Sequence, residues 1–167
     1  MPCSSGRDGA ATAAFFRTFA ETGGVDIPGH ALEDMRRLFK GQAVEGRYHT
    51  YPEMAAAGLW TTPSDLALFV LALSHAHQQD KDAILGPEMA KAMFTPQFGG
   101  FGLGIILNGK DRSLSFSHNG ANAGFRSYFI GFPATGQGAV LMANSDNGDQ
   151  VISEFTENLR AEYRWPG

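Results

Sequence analysis

Apolar residues recur at helical spacing through much of the first 100 residues. A stripe of phenylalanines predicts a helix over residues 10–21, and a shorter apolar stripe predicts a second helix over 31–39. Residues 40–54 show no period and are rich in Gly, Tyr and His, which indicates a loop. A short helix is predicted again at 87–94, where a proline stands at the first position.

The clearest helix start lies at residues 62–65. Thr62 is a capping residue, Pro63 suits the first helical position, and Asp65 follows Thr62 by three residues, as in a capping box. The apolar residues that follow recur at i, i+3, i+4 and i+7, and they are Leu66, Phe69, Val70 and Leu73. The sequence therefore predicts an amphipathic helix that begins at Pro63.

From residue 101 onward the hydrophobic period changes to two, which is typical of strands. Residues 101–107 and 113–117 flank Asn108-Gly109, a strong hairpin turn signal. Residues 125–132 and 138–144 predict a second hairpin. The chain then closes with a helical face that is formed by Ile152, Phe155, Leu159 and Tyr163.

These elements predict an α+β fold. We expect helices, then an antiparallel sheet of three to four strands with the C-terminal helix packed on it. We expect residues 1–167 to form a single partial domain, in which 1–100 are mainly helices and loops and 101–167 are sheet plus helix.

The strand at 139–143 is apolar at every position. Such a run is typical of a strand that is buried on both faces inside a sheet, yet a simple meander would leave this strand at the edge. Because proteins avoid long apolar edges, we expect residues 138–144 to pair with a missing segment or with another copy in a homo-oligomer.

Composition limits the function classes. The 167 residues are 43% hydrophobic and 18% charged, with a net charge of −4, as in a soluble globular protein without a basic surface for nucleic acid or an anionic membrane. Cys3 is the single cysteine, so no internal disulfide forms. The first residues lack the layout of a signal peptide, so the chain as given is expected to be cytoplasmic.

No pattern in the chain indicates a cofactor or a metal. The glycine run at 100–104 precedes a predicted strand instead of following one, so it is not a dinucleotide loop. His75 and His77 are two positions apart on a predicted helix and therefore point to different faces. Ser117 and His118 are adjacent on a predicted strand and point to opposite faces, so they cannot form a catalytic dyad. Taken alone, His118 is a candidate core histidine.

Residues 117–144, taken as one unit, resemble a known family. The run from Ser117-His118-Asn119-Gly120 through Gly-Phe-Arg-Ser-Tyr to the apolar strand is similar to the C-terminal sheet of the serine β-lactamase and penicillin-binding-protein superfamily. Residues 52–69 also resemble that family, and the resemblance covers about residues 45–167. It is greatest to the class C β-lactamase, esterase and D-aminopeptidase branch, whose members are often periplasmic.

The resemblance implies roles for six residues. His118-Asn119-Gly120 occupies the place of the family's K-T-G strand as an H-x-G variant, with His118 as a polar group near the substrate. Gly120 would allow close backbone approach, and the N–H of Ala121 would be one of two oxyanion-hole donors. The implied substrate pocket contains Asn119, Asn122 and Asn144.

The family's nucleophile motif is not present in these 167 residues. No lysine follows a serine by three positions, and no asparagine follows a tyrosine by two. Ser145-Asp146-Asn147 matches S-D-N, but it lies after the H-x-G motif instead of before it. The expected function is therefore the C-terminal portion of a serine hydrolase, inactive alone, that acts on a small amide or ester once completed by an N-terminal half. The alternative is a non-catalytic binding or pseudoenzyme module with a concave pocket near His118 and Asn144.

Overall fold

A computed structural model describes residues 11–15, 38–39, 42–43, 58–59 and 61–166. Three short strands come first, and the remaining elements follow from residue 63 onward. In chain order the elements are β1 (Ala11–Phe15), β2 (Leu38–Phe39), β3 (Gln42–Ala43), α1 (Pro63–His77), α2 (Pro87–Met93), β4 (Ile106–Asn108), β5 (Ser115–Asn122), β6 (Phe125–Phe132), β7 (Gln137–Ala143) and α3 (Gly148–Glu162).

The main sheet has the order β1-β7-β6-β5-β4, and each neighbouring pair is antiparallel. Strands β4 to β7 follow one another along the chain, as the period-two pattern predicts. Helix α1 packs on one face of this sheet and α3 packs on the other. The predicted α+β architecture with a C-terminal helix on the sheet is confirmed.

The first strand corrects two expectations. Residues 11–15 form β1 instead of the start of a helix, and β1 pairs with β7 from Ala11↔Ala143 to Phe15↔Ala139. A helical stripe is a local signal, and here long-range pairing with an apolar strand overrides it. Strand β7 is therefore internal, as its sequence predicts, and its second partner is β1 of the same chain. Residues 16–21 of the predicted helix lie outside the described residues.

The second predicted helix is also wrong where it can be checked. Leu38–Phe39 is a short strand that pairs antiparallel with Gln42–Ala43. Only two residues separate these strands in the sequence, and the second of them is Gly41, a residue type favoured in tight hairpin loops. Residues 31–37 lie outside the described part of the chain.

Helix α1 begins where its capping signal predicts. The hydroxyl oxygen of Thr62 accepts a hydrogen bond from the Asp65 N–H at 3.1 Å, and Pro63 is the first helical residue. The buried face is narrower than the predicted stripe, since Val70 and Leu73 are buried but Phe69 is 44% exposed. The other buried positions of α1 are Pro63, Ala67, Ser74 and Ala76.

Each face of the sheet carries its own core. On the face covered by α1, here called the α1 face, the buried residues are Ala67, Val70, Leu73, Ile105, Leu107, Phe116, Phe129 and Val140. On the opposite face, here called the α3 face, they are Ile130, Phe132, Ala139, Leu141, Ile152 and Trp165. Of the predicted apolar face of α3, Ile152 is buried but Phe155 is 40% exposed. None of the helices among the described residues is long and apolar enough to cross a membrane.

Candidate functional site

Strand β5 alternates between the two cores, and this alternation separates the predicted site residues. Phe116 is fully buried on the α1 face, so His118 and Gly120 share that face. Ser117 and Asn119 lie on the α3 face. The separation of Ser117 from His118 that the sequence predicts is therefore present in the structure.

His118 is exposed, so it is not the core histidine that the strand pattern alone suggested. Its ring stacks on Phe129 of β6, with ring centroids 6.4 Å apart and planes inclined by 26°. Phe116, two residues earlier, is covered by Phe94 at a centroid distance of 5.2 Å. The apolar layer thus ends before His118, whose imidazole is open to solvent on one side and supported by an aromatic ring on the other.

Gly120 lies opposite Ser127 in the β5–β6 ladder. A Cβ atom at position 120 would lie 2.5 Å from the Ser127 hydroxyl oxygen. The glycine thus leaves room for this hydroxyl on the same face as His118, next to the end of β5.

The outer edge of β5 is open beyond Ser117. The N–H of Leu107 donates to the carbonyl of Gly100 at 2.7 Å, so it points away from β5. Ile106 therefore directs its backbone groups toward its partner Ser117. By the same alternation, Asn119 and Ala121 direct their N–H and C=O groups to this edge, where β4 has already ended and no described strand pairs with them.

Two of the three asparagines implied as a substrate pocket, Asn119 and Asn122, project to opposite faces of β5. Asn119 lines a groove on the α3 face, whereas Asn122 ends β5 and Asn144 is buried, at 8% exposure, directly after β7. The groove has a volume of about 510 Å³ and is also lined by Tyr128 and Arg160. His118 and Asn144 do not line it, so the pocket expected near these two residues is not this groove.

One hydroxyl pair lies under the groove. Ser117, buried at 6% exposure, lies beside the phenol of Tyr128. Burial raises the pKa of Tyr128, and the opposing effects of the Ser117 hydroxyl and the Arg160 charge only partly offset it. At neutral pH the phenol is therefore protonated and cannot act as a base toward Ser117.

Sequence reasoning missed a charged cluster at the end of β5. Arg126 of β6 forms ion pairs with Asp146 and Asp149, at 3.3 and 3.0 Å. Asp146 belongs to the literal Ser145-Asp146-Asn147 match, but this pattern does not indicate an ion pair with a residue 20 positions earlier in the chain. Within the part of the chain that the structure describes, no group of three His, Cys, Asp or Glu side chains could hold a metal ion.

Comparison with known proteins supports the resemblance seen in the sequence. The family model described as Beta-lactamase matches residues 10–161. No curated protein matches the chain. Two solved structures share partial similarity. One is titled "Crystal structure of SurE with D-Leu", with 22% identity and a TM-score of 0.46, and it covers 55% of this chain and 25% of that one.

The other is titled "Crystal structure of SurE", with 24% identity and a TM-score of 0.43, and it covers 59% of this chain and 23% of that one. The chain thus matches about a quarter of the length of these two structures. The family match, in contrast, extends over nearly all of the 167 residues and includes every element of the main sheet. This chain belongs to the Beta-lactamase family.

Proposed function

We propose that this chain provides one wall of a serine hydrolase site that cleaves a small amide or ester through an acyl-enzyme. The single observation that carries the proposal is the outer edge of β5, which no strand among the described residues covers past the end of β4 and toward which the N–H of Ala121 points. The H-x-G motif of the same strand supplies His118 three residues before that amide.

The chemistry follows from this edge. A carbonyl carbon under attack becomes tetrahedral, and its oxygen gains negative charge that a fixed N–H donor stabilises. Ala121 would be one such donor, and a second would come with the nucleophile. His118, exposed and supported by Phe129, would add an electrostatic or acid–base contribution near the leaving group.

The proposed nucleophile lies outside these 167 residues. An acyl-enzyme needs a hydroxyl with an adjacent base, and the sequence contains no S-x-x-K. The buried Ser117 and protonated Tyr128 do not replace it. We therefore expect the chain alone to hydrolyse neither β-lactams nor simple esters.

Intact-mass spectrometry tests the first half of this proposal. The chain is incubated with a fluorophosphonate or a penicillin, with the Ser117→Ala variant as a control. No stoichiometric adduct is expected on either protein. An adduct on any serine of the chain would overturn the proposal. If the unmodified chain formed an adduct and the Ser117→Ala variant did not, Ser117 would be the nucleophile.

The second half of the proposal concerns a longer protein that contains these 167 residues. We expect the reading frame upstream of Met1 to encode an S-x-x-K motif. In that longer protein, His118→Ala should lower turnover by on the order of 10- to 1,000-fold, whereas His75→Ala, on the exposed side of α1, should not. An upstream frame without the motif would favour the non-catalytic binding module.

A further inference from the structure

The side chain of Arg126 contacts both ends of the turn between β5 and β6. Nη1 of Arg126 donates to the carbonyl oxygens of Asn122 and Phe125, at 2.9 and 2.8 Å. These carbonyls belong to the last residue of β5 and the first residue of β6, so the guanidinium bridges the two ends of the turn. Carbonyl groups fixed by one planar donor cannot move independently of each other.

The same guanidinium is anchored by carboxylates from the segment between β7 and α3. Oδ1 of Asp146 lies 3.3 Å from Nη1 of Arg126 and also accepts the N–H of Gly124 at 3.1 Å. Gly124 lies inside the turn with a φ of +76°, a conformation that favours glycine. Asp149, in the first turn of α3, accepts from Nε at 3.0 Å.

Helix α3 begins directly against this cluster. A Cβ atom at Gly148 would lie 2.6 Å from the Cβ of Ala143 and 3.0 Å from the Cβ of Arg126. The backbone at the helix start therefore rests on the stem of Arg126, and a larger residue would push the two apart. The turn, the end of β7 and α3 thus meet at one side chain.

Ala121 is the register partner of Arg126 in the β5–β6 ladder. It directly precedes Asn122, whose carbonyl oxygen accepts from Arg126. No strand among the described residues pairs with Ala121 on the outer edge of β5. The orientation of its N–H therefore depends on the β6 side of the strand and on the turn that follows.

We infer that Arg126 is a positioning residue that fixes the direction of the Ala121 N–H by tying the β5–β6 turn to the start of α3. The use of that N–H as an oxyanion donor rests on the proposed function, whereas its restraint by Arg126 does not. Asp146 is the principal anchor, because its side chain is 18% exposed and that of Asp149 is 75% exposed. Exposed ion pairs are weakened by solvent.

Nuclear spin relaxation on the ¹⁵N-labelled 167-residue chain tests the inference. In Arg126→Gln the order parameter of the Ala121 amide should fall from about 0.85, a rigid backbone value, to below about 0.6. The amides of Gly120 and Asn122 should exchange with solvent at least about tenfold faster. Asp146→Asn should act in the same direction as Arg126→Gln, and Asp149→Asn should have little effect.

Two controls separate positioning from general stability. Arg112→Gln removes an exposed arginine outside the cluster and should leave Ala121 unchanged. The amides of Val140 and Leu141, at the centre of the sheet, should also keep their exchange rates in Arg126→Gln. An unchanged order parameter at Ala121, or equal acceleration of exchange across the whole sheet, would overturn the inference.

The two proposals can fail separately. A stoichiometric penicillin adduct on this chain would remove the proposed function and leave the relaxation result in place. Unchanged mobility of Ala121 in Arg126→Gln would remove the role of Arg126 and leave the proposed function in place.

Discussion

His118 and Phe116 share one face of β5 but differ in exposure. Phe94 packs on Phe116 at a centroid distance of 5.2 Å and so covers that residue. His118 lies two residues further along the strand, where it is exposed and stacks on Phe129. The exposure of a side chain on β5 is therefore set by the elements that pack on that point of the strand.

His77 gives a pH-dependent prediction at the residue scale. Burial lowers its pKa, and the edge of its ring contacts Phe94 at a centroid distance of 4.7 Å. In the unfolded chain the pKa returns to about 6.5, so the unfolded state binds more protons when the pH falls through that value. The stabilising contribution of neutral His77 is complete above about pH 6.5 and is lost toward the lower folded pKa.

We therefore expect the melting temperature to fall between about pH 7.5 and 5.5, and to fall less steeply in His77→Gln. His75→Gln, an exposed histidine on the same helix, is the matched control and should follow the unmodified chain. An identical pH slope in His77→Gln and the unmodified chain would contradict the role of His77.

Gly131 gives a second prediction at this scale. A Cβ atom there would lie 2.6 Å from two ring carbons of Phe116 and 2.9 Å from Val70, all within the α1-face core. Gly131→Ala should lower the free energy of unfolding by about 1–3 kcal/mol, because a packed core must shift to admit the methyl group. Urea denaturation measures the change.

Gly86→Ala is the control, because an added methyl there meets no atom within 4 Å. We expect it to change the free energy of unfolding by less than about 1 kcal/mol, a small surface effect. Equal losses in both variants would show that the glycine at 131 is not required by the contact with Phe116.

At the scale of elements, local signals predict α1 and the β5–β7 meander better than they predict the N-terminal segments. The start of α1 depends on Thr62 and Pro63, both of which are adjacent to the helix they begin. Strand β1 has no such local determinant, since its pairing partner lies at the other end of the chain. Long-range pairing of this kind is invisible to a window that moves along the sequence.

The cap of α1 can be tested directly. Thr62 accepts the Asp65 N–H at 3.1 Å and donates to the Asp65 carboxylate at 2.9 Å. Thr62→Ala should therefore cost about 1 kcal/mol in the free energy of unfolding. Thr61→Ala is the matched control, because among the described residues that hydroxyl makes a long 3.4 Å contact with the Thr62 carbonyl and caps no N–H. Equal effects of the two substitutions would exclude a capping role for Thr62.

At the scale of the whole molecule, β1 decides whether the sheet ends in a covered or an open apolar edge. The composition of residues 139–143 predicts an internal strand, and the structure places that strand between β1 and β6. The sequence could predict this requirement for a partner but not its source. The candidate site divides in the same way: the H-x-G strand is recognisable in the sequence, whereas the Arg126 cluster depends on a meeting of three separate segments.

Two proline variants test the role of β1. Successive residues of a strand direct their N–H groups to opposite edges, so one of Thr12 and Ala13 donates toward β7 and the other donates outward. The proline that removes the N–H directed to β7 should weaken the β1–β7 ladder and promote concentration-dependent association. The other proline removes an outward N–H and serves as the control. Light scattering distinguishes them. Monomeric behaviour of both variants at all concentrations would contradict a protective role for β1.

The pairing of β1 with β7 also has a consequence for how the chain folds. The paired residues of β1 and β7 are more than about 120 positions apart in the sequence. The β4–β5, β5–β6 and β6–β7 pairs, in contrast, join strands that follow one another along the chain. Closing so long a loop costs conformational entropy before any stabilising contact forms. Local hairpins therefore form sooner and distant pairings form later. During synthesis β1 leaves the ribosome long before residues 139–143 and cannot pair with β7 until they follow. Of the five strands in the order β1-β7-β6-β5-β4, the earliest to be made would thus be the last to enter the sheet.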